Sequence, residues 1–185
     1  MAVAISLLRG INVGGRNMIK MDGLRELCRS LGLRDPQTYL QSGNVVFRTA
    51  GPGNARLAER IAAAIESAFG FRPEVIVRTR PEMEDAVARN PFSARPGIDP
   101  ARLLVHFLAA DPGQLARERL LAVRTDTEEL RLEGRELYIY FPDGMGRSKV
   151  WPAAVDRALQ VPGTGRNWNT VLKLLEMARE MEASA

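Results

Sequence analysis

Hydrophobic positions along the 185-residue chain alternate between a spacing of two and a spacing near 3.6, which predicts interleaved strands and helices. In the first part of the chain the pattern predicts a strand at 3–9, a helix at 21–32, a hairpin at 37–49, a helix at 54–70 and a strand at 73–79. Placed in one sheet with both helices on one face, this order is that of the ferredoxin-like split unit.

The pattern begins again after a connecting helix predicted at 80–90. It predicts a strand at 102–109, a helix at 112–123, two strands between 128 and 142, a helix at 151–159 and a terminal helix at 168–180. We therefore predict an α+β fold of two similar ferredoxin-like subdomains, βαββαβ and then βαββα plus a C-terminal helix, with antiparallel sheets and helices packed on one face. The predicted division is an N-terminal subdomain at 1–79 and a C-terminal α+β subdomain, a single compact unit, at 80–185.

The composition is that of a folded globular protein, with 45% hydrophobic and 26% charged residues. The apolar run at 2–8 is too short to span a bilayer and has no basic region before it, so we expect a cytoplasmic protein without a membrane partner. The single cysteine, Cys28, excludes an internal disulfide and any cysteine-based zinc site. Its helical spacing from Leu24, Leu27 and Leu31 predicts a core position.

Positive charge is unevenly distributed along the chain, which has a formal net charge of +4. Residues 1–56 hold eight basic and three acidic side chains, and residues 144–173 hold five basic and one acidic. If these two segments converge in space, they form a positive surface suited to an anionic partner. The alternative is that surface charge is uneven by chance.

The first of four polar loops that contain glycine has the sequence LLRGINVGGRNMIKM, at 7–21. It follows the first predicted strand, where backbone N–H groups can face an anion. The amides of Gly14 and Gly15, with Arg9 or Arg16 as charged donor, could hold a phosphate, although the motif is neither GxxxxGK[ST] nor GxGxxG. Alternatively the glycines only permit positive φ in a tight crossover, and the arginines are solvated.

Three further loops carry candidate ligand-binding residues. The segment QSGN at 41–44 contributes Asn44. The segment DGMGRSK at 143–149 contributes Arg147 and Lys149, and the segment PGTGRNWNT at 162–170 contributes Arg166 and Asn167. Ser148 and Asn167 have the alternative role of helix N-caps.

Several of these motifs together resemble a known family. The stretches LLRGINVGGRNMIKMDGLRELCRSLGL, TYLQSGNVVF, GRSK and GTGRNWNTVLKLL are similar to those of a widespread bacterial family, domain of unknown function (DUF) family 1697. The resemblance covers essentially the whole chain and implies an α+β fold with two similar subdomains of ferredoxin-like character. It implies no established activity, cofactor or catalytic residue.

The inventory of reactive side chains restricts the classes of enzyme. His106 is the only histidine and lies in the apolar run LLVHFLA, which predicts a buried position in a central strand, uninvolved in chemistry. The chain therefore has almost no side chains suited to metal coordination or to a histidine-dependent triad, and we expect no metal and no cofactor. The catalytic residues, if any exist, stay unassigned.

Three functional hypotheses follow. The preferred one is a binding module for a phosphate-bearing anionic ligand, a nucleotide or nucleic acid, in a basic cleft formed by the glycine-rich loops. The second is an enzyme acting on a phosphorylated small molecule, with Asp143 or Ser148 as the reactive group. The third is a protein–protein interaction domain that forms a homodimer and whose loops are purely structural.

Overall fold

The computed structural model describes residues 1–51 and 55–184. The strands are β1 (Ala2–Leu8), β2 (Arg34–Tyr39), β3 (Asn44–Thr49), β4 (Val75–Thr79), β5 (Leu103–Leu108), β6 (Glu129–Glu133), β7 (Glu136–Tyr140) and β8 (Gly163–Asn167). The helices are α1 (Met21–Ser30), α2 (Ala55–Phe69), α3 (Arg80–Ala88), α4 (Gly113–Leu121), α5 (Ala153–Leu159) and α6 (Trp168–Ala183). Asn54, the predicted first residue of the second helix, lies outside the described residues.

Both sheets have four strands and the same topology. The first has the order β2-β3-β1-β4 and the second the order β6-β7-β5-β8, and neighbouring strands are antiparallel throughout. In each sheet the first strand of the unit lies in the interior, between the third and the fourth. This is the strand arrangement of a ferredoxin-like unit, and the predicted α+β class with two such subdomains is confirmed.

The chain divides into two compact units. The first comprises Met1–Asp85 together with Leu172–Ala185, and the second comprises Ala86–Val171. The first unit thus includes the end of the chain, which the sequence analysis had assigned to the C-terminal subdomain. It also extends a few residues beyond the predicted boundary at 79.

The core of the first unit lies between its sheet and helices α1 and α2. Apolar side chains of both helices form one cluster with every second residue of the strands: Ala4, Leu8, Leu24, Leu27, Cys28, Val45, Phe47, Leu57, Ile61, Ala62, Ile65, Val75 and Val77. In α1 these positions recur at helical spacing, while in β3 Val45 and Phe47 share one face because alternate strand residues point the same way. The prediction that helices pack on one face holds for α1 and α2.

The end of α6 is attached to the first unit by polar contacts. Arg48 lies next to Phe47 and so points to the opposite face of β3, where its guanidinium donates to the carbonyl of Met181 and to Ser184 Oγ. Arg80 Nε lies 2.5 Å from the carboxylate of Glu182. A third helix therefore joins the first unit on a side that the sequence pattern did not predict.

The core of the second unit repeats this arrangement with α4 and α5. Their buried residues cluster with one face of the sheet: Leu104, Leu108, Leu120, Leu137, Ile139, Val155, Ala158 and Leu159. His106 is fully buried in β5, which lies between β7 and β8, so its predicted position in a central strand is confirmed.

Strand β8 corrects the predicted topology of the second half. The sequence GTGRN belongs to a predicted polar, glycine-containing loop, yet it forms the edge strand that makes the second unit βαββαβ as well. A Cβ at Gly163 would lie 2.7 Å from His106 Nε2, and one at Gly165 would lie 2.8 Å from the Trp151 ring. The glycines are required because two large side chains occupy the space beside this strand.

We expect Gly163→Ala to lower the free energy of unfolding by about 1–3 kcal/mol, because the added methyl also meets the Phe107 carbonyl, a backbone atom of the neighbouring strand that cannot turn away. Urea denaturation followed by circular dichroism measures this change. Gly146→Ala is the matched control, since no atom lies within 4 Å of the Cβ position. Equal stabilities of the two variants would contradict this explanation of β8.

The Cys28 thiol is fully buried in the first core, as predicted, and burial raises its pKa to about 12. Since the thiolate is the reactive form, we expect no reaction with Ellman's reagent at pH 8 in the native protein and full reaction after denaturation. Because the thiol pKa is higher in the folded state than in the unfolded state, the protonated thiol favours the folded state. This contribution to the free energy of unfolding is fully present below the unfolded-state pKa near 9 and is lost as the pH rises towards 12. Rapid labelling of the native protein would contradict this assignment.

Candidate functional site

The glycine-rich loop after β1 is a tight hairpin. Val13 and Arg16 form an isolated bridge, and the Arg16 amide donates to the Val13 carbonyl at 3.0 Å. Between them Gly14 and Gly15 have φ of 59° and 73°. Two consecutive positive φ angles define the type I′ turn that matches strand twist, so the turn itself explains both glycines.

Asn12 braces the base of this hairpin. Its Nδ2 donates to the carbonyls of Ile19 and Gln41 at 3.0 and 2.8 Å, and its Oδ1 accepts from the Ile19 amide at 2.8 Å. Asn17 adds a bond from Nδ2 to the Gly10 carbonyl at 3.0 Å. The loop is held by amide side chains that the sequence motifs do not highlight, and the available signal is an asparagine two or three residues from the Gly-Gly pair on either side.

The QSGN loop adjoins this hairpin within the first unit. The Leu8 amide donates to the Gly43 carbonyl at 2.9 Å, and Gln41 accepts from Asn12 as described. Asn44 is fully buried, and its Nδ2 donates to the Tyr39 carbonyl and to Ser42 Oγ. Its side chain therefore closes the turn between β2 and β3, while Arg9 is half-buried and Arg16 is exposed.

The GRSK segment forms the approach to α5 in the second unit. Ser148 Oγ accepts from the amides of Val150 and Trp151 at 3.1 and 3.2 Å and closes a local turn. The alternative role of helix N-cap is wrong for Ser148, because the N-cap of α5 is Pro152. A hydrogen bond from Ser148 also lowers the pKa of Glu128. Asp143 accepts from Thr127 Oγ1 at 2.8 Å. Arg147 and Lys149 are both exposed.

Arg166 and Asn167 lie in β8 rather than in an open loop. Arg166 is buried, with Nη1 donating to Thr164 Oγ1 and to the Gly165 carbonyl at 2.8 Å each, and burial lowers its pKa to about 10. Asn167 Oδ1 accepts from the Asn169 amide at 3.0 Å, which caps the start of α6. The capping role considered for Asn167 is the one the structure shows.

A carboxylate lies beside the buried histidine. His106 Nε2 is 3.8 Å from Asp156 Oδ1, and the Trp151 ring packs edge-on against the imidazole with centroids 4.9 Å apart. Asp156 is one turn into α5, so its approach to His106 could not be read from the sequence. The contact joins α5 to the centre of the second sheet.

A pocket rich in cationic side chains lies between α4 and α5. Its volume is about 360 Å³, and it is lined by Arg119, Ala122, Val123, Arg124, Lys149, Val150, Ala154, Arg157 and Ala158. Four of the nine lining residues are basic and the other five are apolar. Because none is acidic, the local field favours an anion. We call this the α4–α5 pocket.

One of these cations is fixed by the fold. Arg119 Nε donates to the Ala158 carbonyl at 2.8 Å, which links α4 to α5. Arg124, Lys149 and Arg157 are exposed, and no ion pair involves them in the part of the chain that the structure describes. Of the residues predicted from the sequence, Lys149 lines the pocket. Arg119 and Arg157 lie on different helices and Arg124 follows the end of α4, so no sequence motif joins the three and they were missed.

The predicted loop residues thus fall into the two units. Arg9, Gly14, Gly15, Arg16 and Asn44 belong to the first, and Arg147, Lys149, Arg166 and Asn167 to the second. Their convergence into one cleft stays a prediction.

Within residues 1–51 and 55–184, no group of three or more His, Cys, Asp or Glu side chains is placed to hold a metal ion. Over the same residues, no helix has both the length and the apolar character needed to cross a membrane.

The comparisons with known proteins agree with the fold. The family described as protein of unknown function (DUF1697) matches residues 1–138. The chain belongs to the DUF1697 family. A solved structure, that of a conserved bacterial protein from Streptococcus pneumoniae, is similar to this chain with a TM-score of 0.70 at 24% identity, covering 96% of this chain and 98% of the other. At this identity the likeness shows the fold alone. No curated protein matches the chain.

We expect Asn12→Ala to lower the free energy of unfolding by about 1–3 kcal/mol, because it removes a side chain that satisfies backbone groups of Ile19 and Gln41. Alanine also adopts the observed φ of 52° less readily than asparagine. Urea denaturation measures the loss, with Arg16→Ala at the exposed tip as control. A variant as stable as the control would show that Asn12 does not brace the hairpin.

Proposed function

We propose that this DUF1697 protein binds a small phosphate-bearing ligand in the α4–α5 pocket. The observation that supports the proposal is the clustering of four cationic side chains around one cavity with no acidic residue in its lining. Like charges repel one another, so such a cluster is stabilised when an anion is bound among them. A bacterial, cytoplasmic setting, expected from the sequence, is part of the proposal.

Phosphate suits this lining better than a single carboxylate does. A phosphate monoester offers three terminal oxygens and up to two negative charges, so several donors can share it. The guanidinium groups of Arg119, Arg124 and Arg157 supply planar pairs of donors, and the Lys149 ammonium supplies a compact charge. Charge-assisted hydrogen bonds contribute about 1.5–3 kcal/mol each, less at exposed positions.

The proposal changes which predicted residues carry the binding. Lys149 keeps the role expected of it, while Arg166 is buried in β8 and held by Thr164 and Gly165. The pocket is formed entirely by residues of the second unit, so the loops of the first unit are not required. Binding by Arg9, Gly14, Gly15 and Arg16 is a separate prediction.

We expect inorganic phosphate and phenyl phosphate to shift the amide resonances of α4, α5 and residues 122–124 and 149–150 in a nitrogen-15 NMR titration. Arg157→Ala and Lys149→Ala should each weaken binding about three- to tenfold, because each removes one charge from the pocket. Affinity should fall with added salt, since the exposed cations are screened.

Arg147→Ala is the matched control, because Arg147 is an exposed arginine two residues from Lys149 that is absent from the pocket lining. Arg119 is unsuitable for the test, since its bond to Ala158 also supports the packing of α4 on α5. Affinities that are unchanged in Arg157→Ala and Lys149→Ala, or that fall equally in Arg147→Ala, would contradict the proposed site.

A further inference from the structure

We infer that the ligand of the α4–α5 pocket is a phosphomonoester that carries a compact apolar group, an alkyl or aryl phosphate rather than a sugar phosphate or a nucleotide. The inference rests on the proposed function, since it concerns the part of the same ligand that does not bear charge. It follows from the volume of the pocket and from the chemistry of the residues between its cations.

The pocket is larger than a phosphate group. Five heavy atoms occupy the space of two or three waters, roughly 60–90 Å³. The pocket volume of about 360 Å³ therefore leaves most of the space for the rest of the ligand. This volume is within the range of small-molecule sites, about 300–1,000 Å³.

The remaining space is bordered by apolar side chains. Ala122, Val123, Val150, Ala154 and Ala158 are the lining residues without charge, and Val150 and Ala158 are nearly fully buried, at 4% and 6% exposure. Val150 and Ala158 are also members of the hydrophobic cluster of the second unit, so the pocket reaches down to the core. An apolar group placed against these side chains is partly removed from water and gains part of the corresponding transfer free energy.

The same lining is unsuited to a sugar or a nucleobase. Sugar hydroxyl groups and the amino groups of bases donate hydrogen bonds, and none of the nine lining side chains carries an acceptor. A polar group bound against Val123, Val150 and Ala154 would lose its hydrogen bonds to water without replacement. The pocket therefore discriminates against polar substituents while its cations accept any phosphate.

The test measures affinity for a series of phosphates by NMR titration or calorimetry, using inorganic, methyl, butyl, hexyl and phenyl phosphate. Affinity should rise about two- to fourfold for each methylene until the apolar lining is covered. Glucose 6-phosphate and AMP, which carry polar groups of similar or larger size, should bind more weakly than hexyl phosphate.

Ala154→Leu provides the matched variant, because the larger side chain fills the apolar part of the pocket and leaves the cations in place. It should weaken the affinity for hexyl phosphate at least fivefold and leave the affinity for inorganic phosphate unchanged. Ala153→Leu, at the neighbouring exposed position outside the lining, should change neither affinity.

The outcomes separate this inference from the proposal on which it depends. An affinity that stays flat along the alkyl series, or AMP binding more tightly than hexyl phosphate at this pocket, overturns the inference while phosphate binding stands. An equal loss of affinity for inorganic and hexyl phosphate in Ala154→Leu also overturns it, because the leucine side chain would then act by disturbing the cations and not by filling the apolar part of the pocket. If no phosphate in the series binds at the pocket, the proposed function itself fails.

Discussion

The packing of the His106 and Trp151 rings beside the glycines of β8 determines how the second unit is assembled. Because Gly163 and Gly165 carry no side chains, both rings pack closely against β8. The two rings meet each other edge to face. Trp151 comes two residues before α5, so its position fixes where that helix begins. Asp156, one turn later, approaches His106 from the same helix. The α5 wall of the α4–α5 pocket therefore depends on these contacts of Trp151 and Asp156 with His106.

One cation of that pocket, Arg119, is held by the backbone rather than by a carboxylate. Its Nε donates to the Ala158 carbonyl in the last turn of α5, where the unpaired carbonyl groups of a helix favour positive charge. Such carbonyls hold a cation without neutralising it. A paired aspartate or glutamate would cancel the local field, so the backbone contact of Arg119 keeps the pocket attractive to an anion.

Sequence periodicity was sufficient for the parts of the fold in which local preference and burial agree. The strand around His106 and the helix around Cys28 are apolar at the correct spacing, and both were predicted correctly. Strand β8 was missed because Gly163 and Gly165 are selected by close packing with residues far away in the sequence. The pocket was missed for a related reason, since Arg119, Arg124 and Arg157 become neighbours only when α4 packs on α5.

The attachment of α6 to the first unit also bears on how the chain folds during synthesis. The hydrogen bond between Arg48 and Met181 joins residues 133 positions apart, and Glu84 pairs with Arg179 at 2.8 Å across 95 positions. A ribosome delivers β1 to β4 long before these partners leave its tunnel. The first unit to begin folding is therefore the last to be completed, and the whole second unit emerges while the first still lacks its final helix.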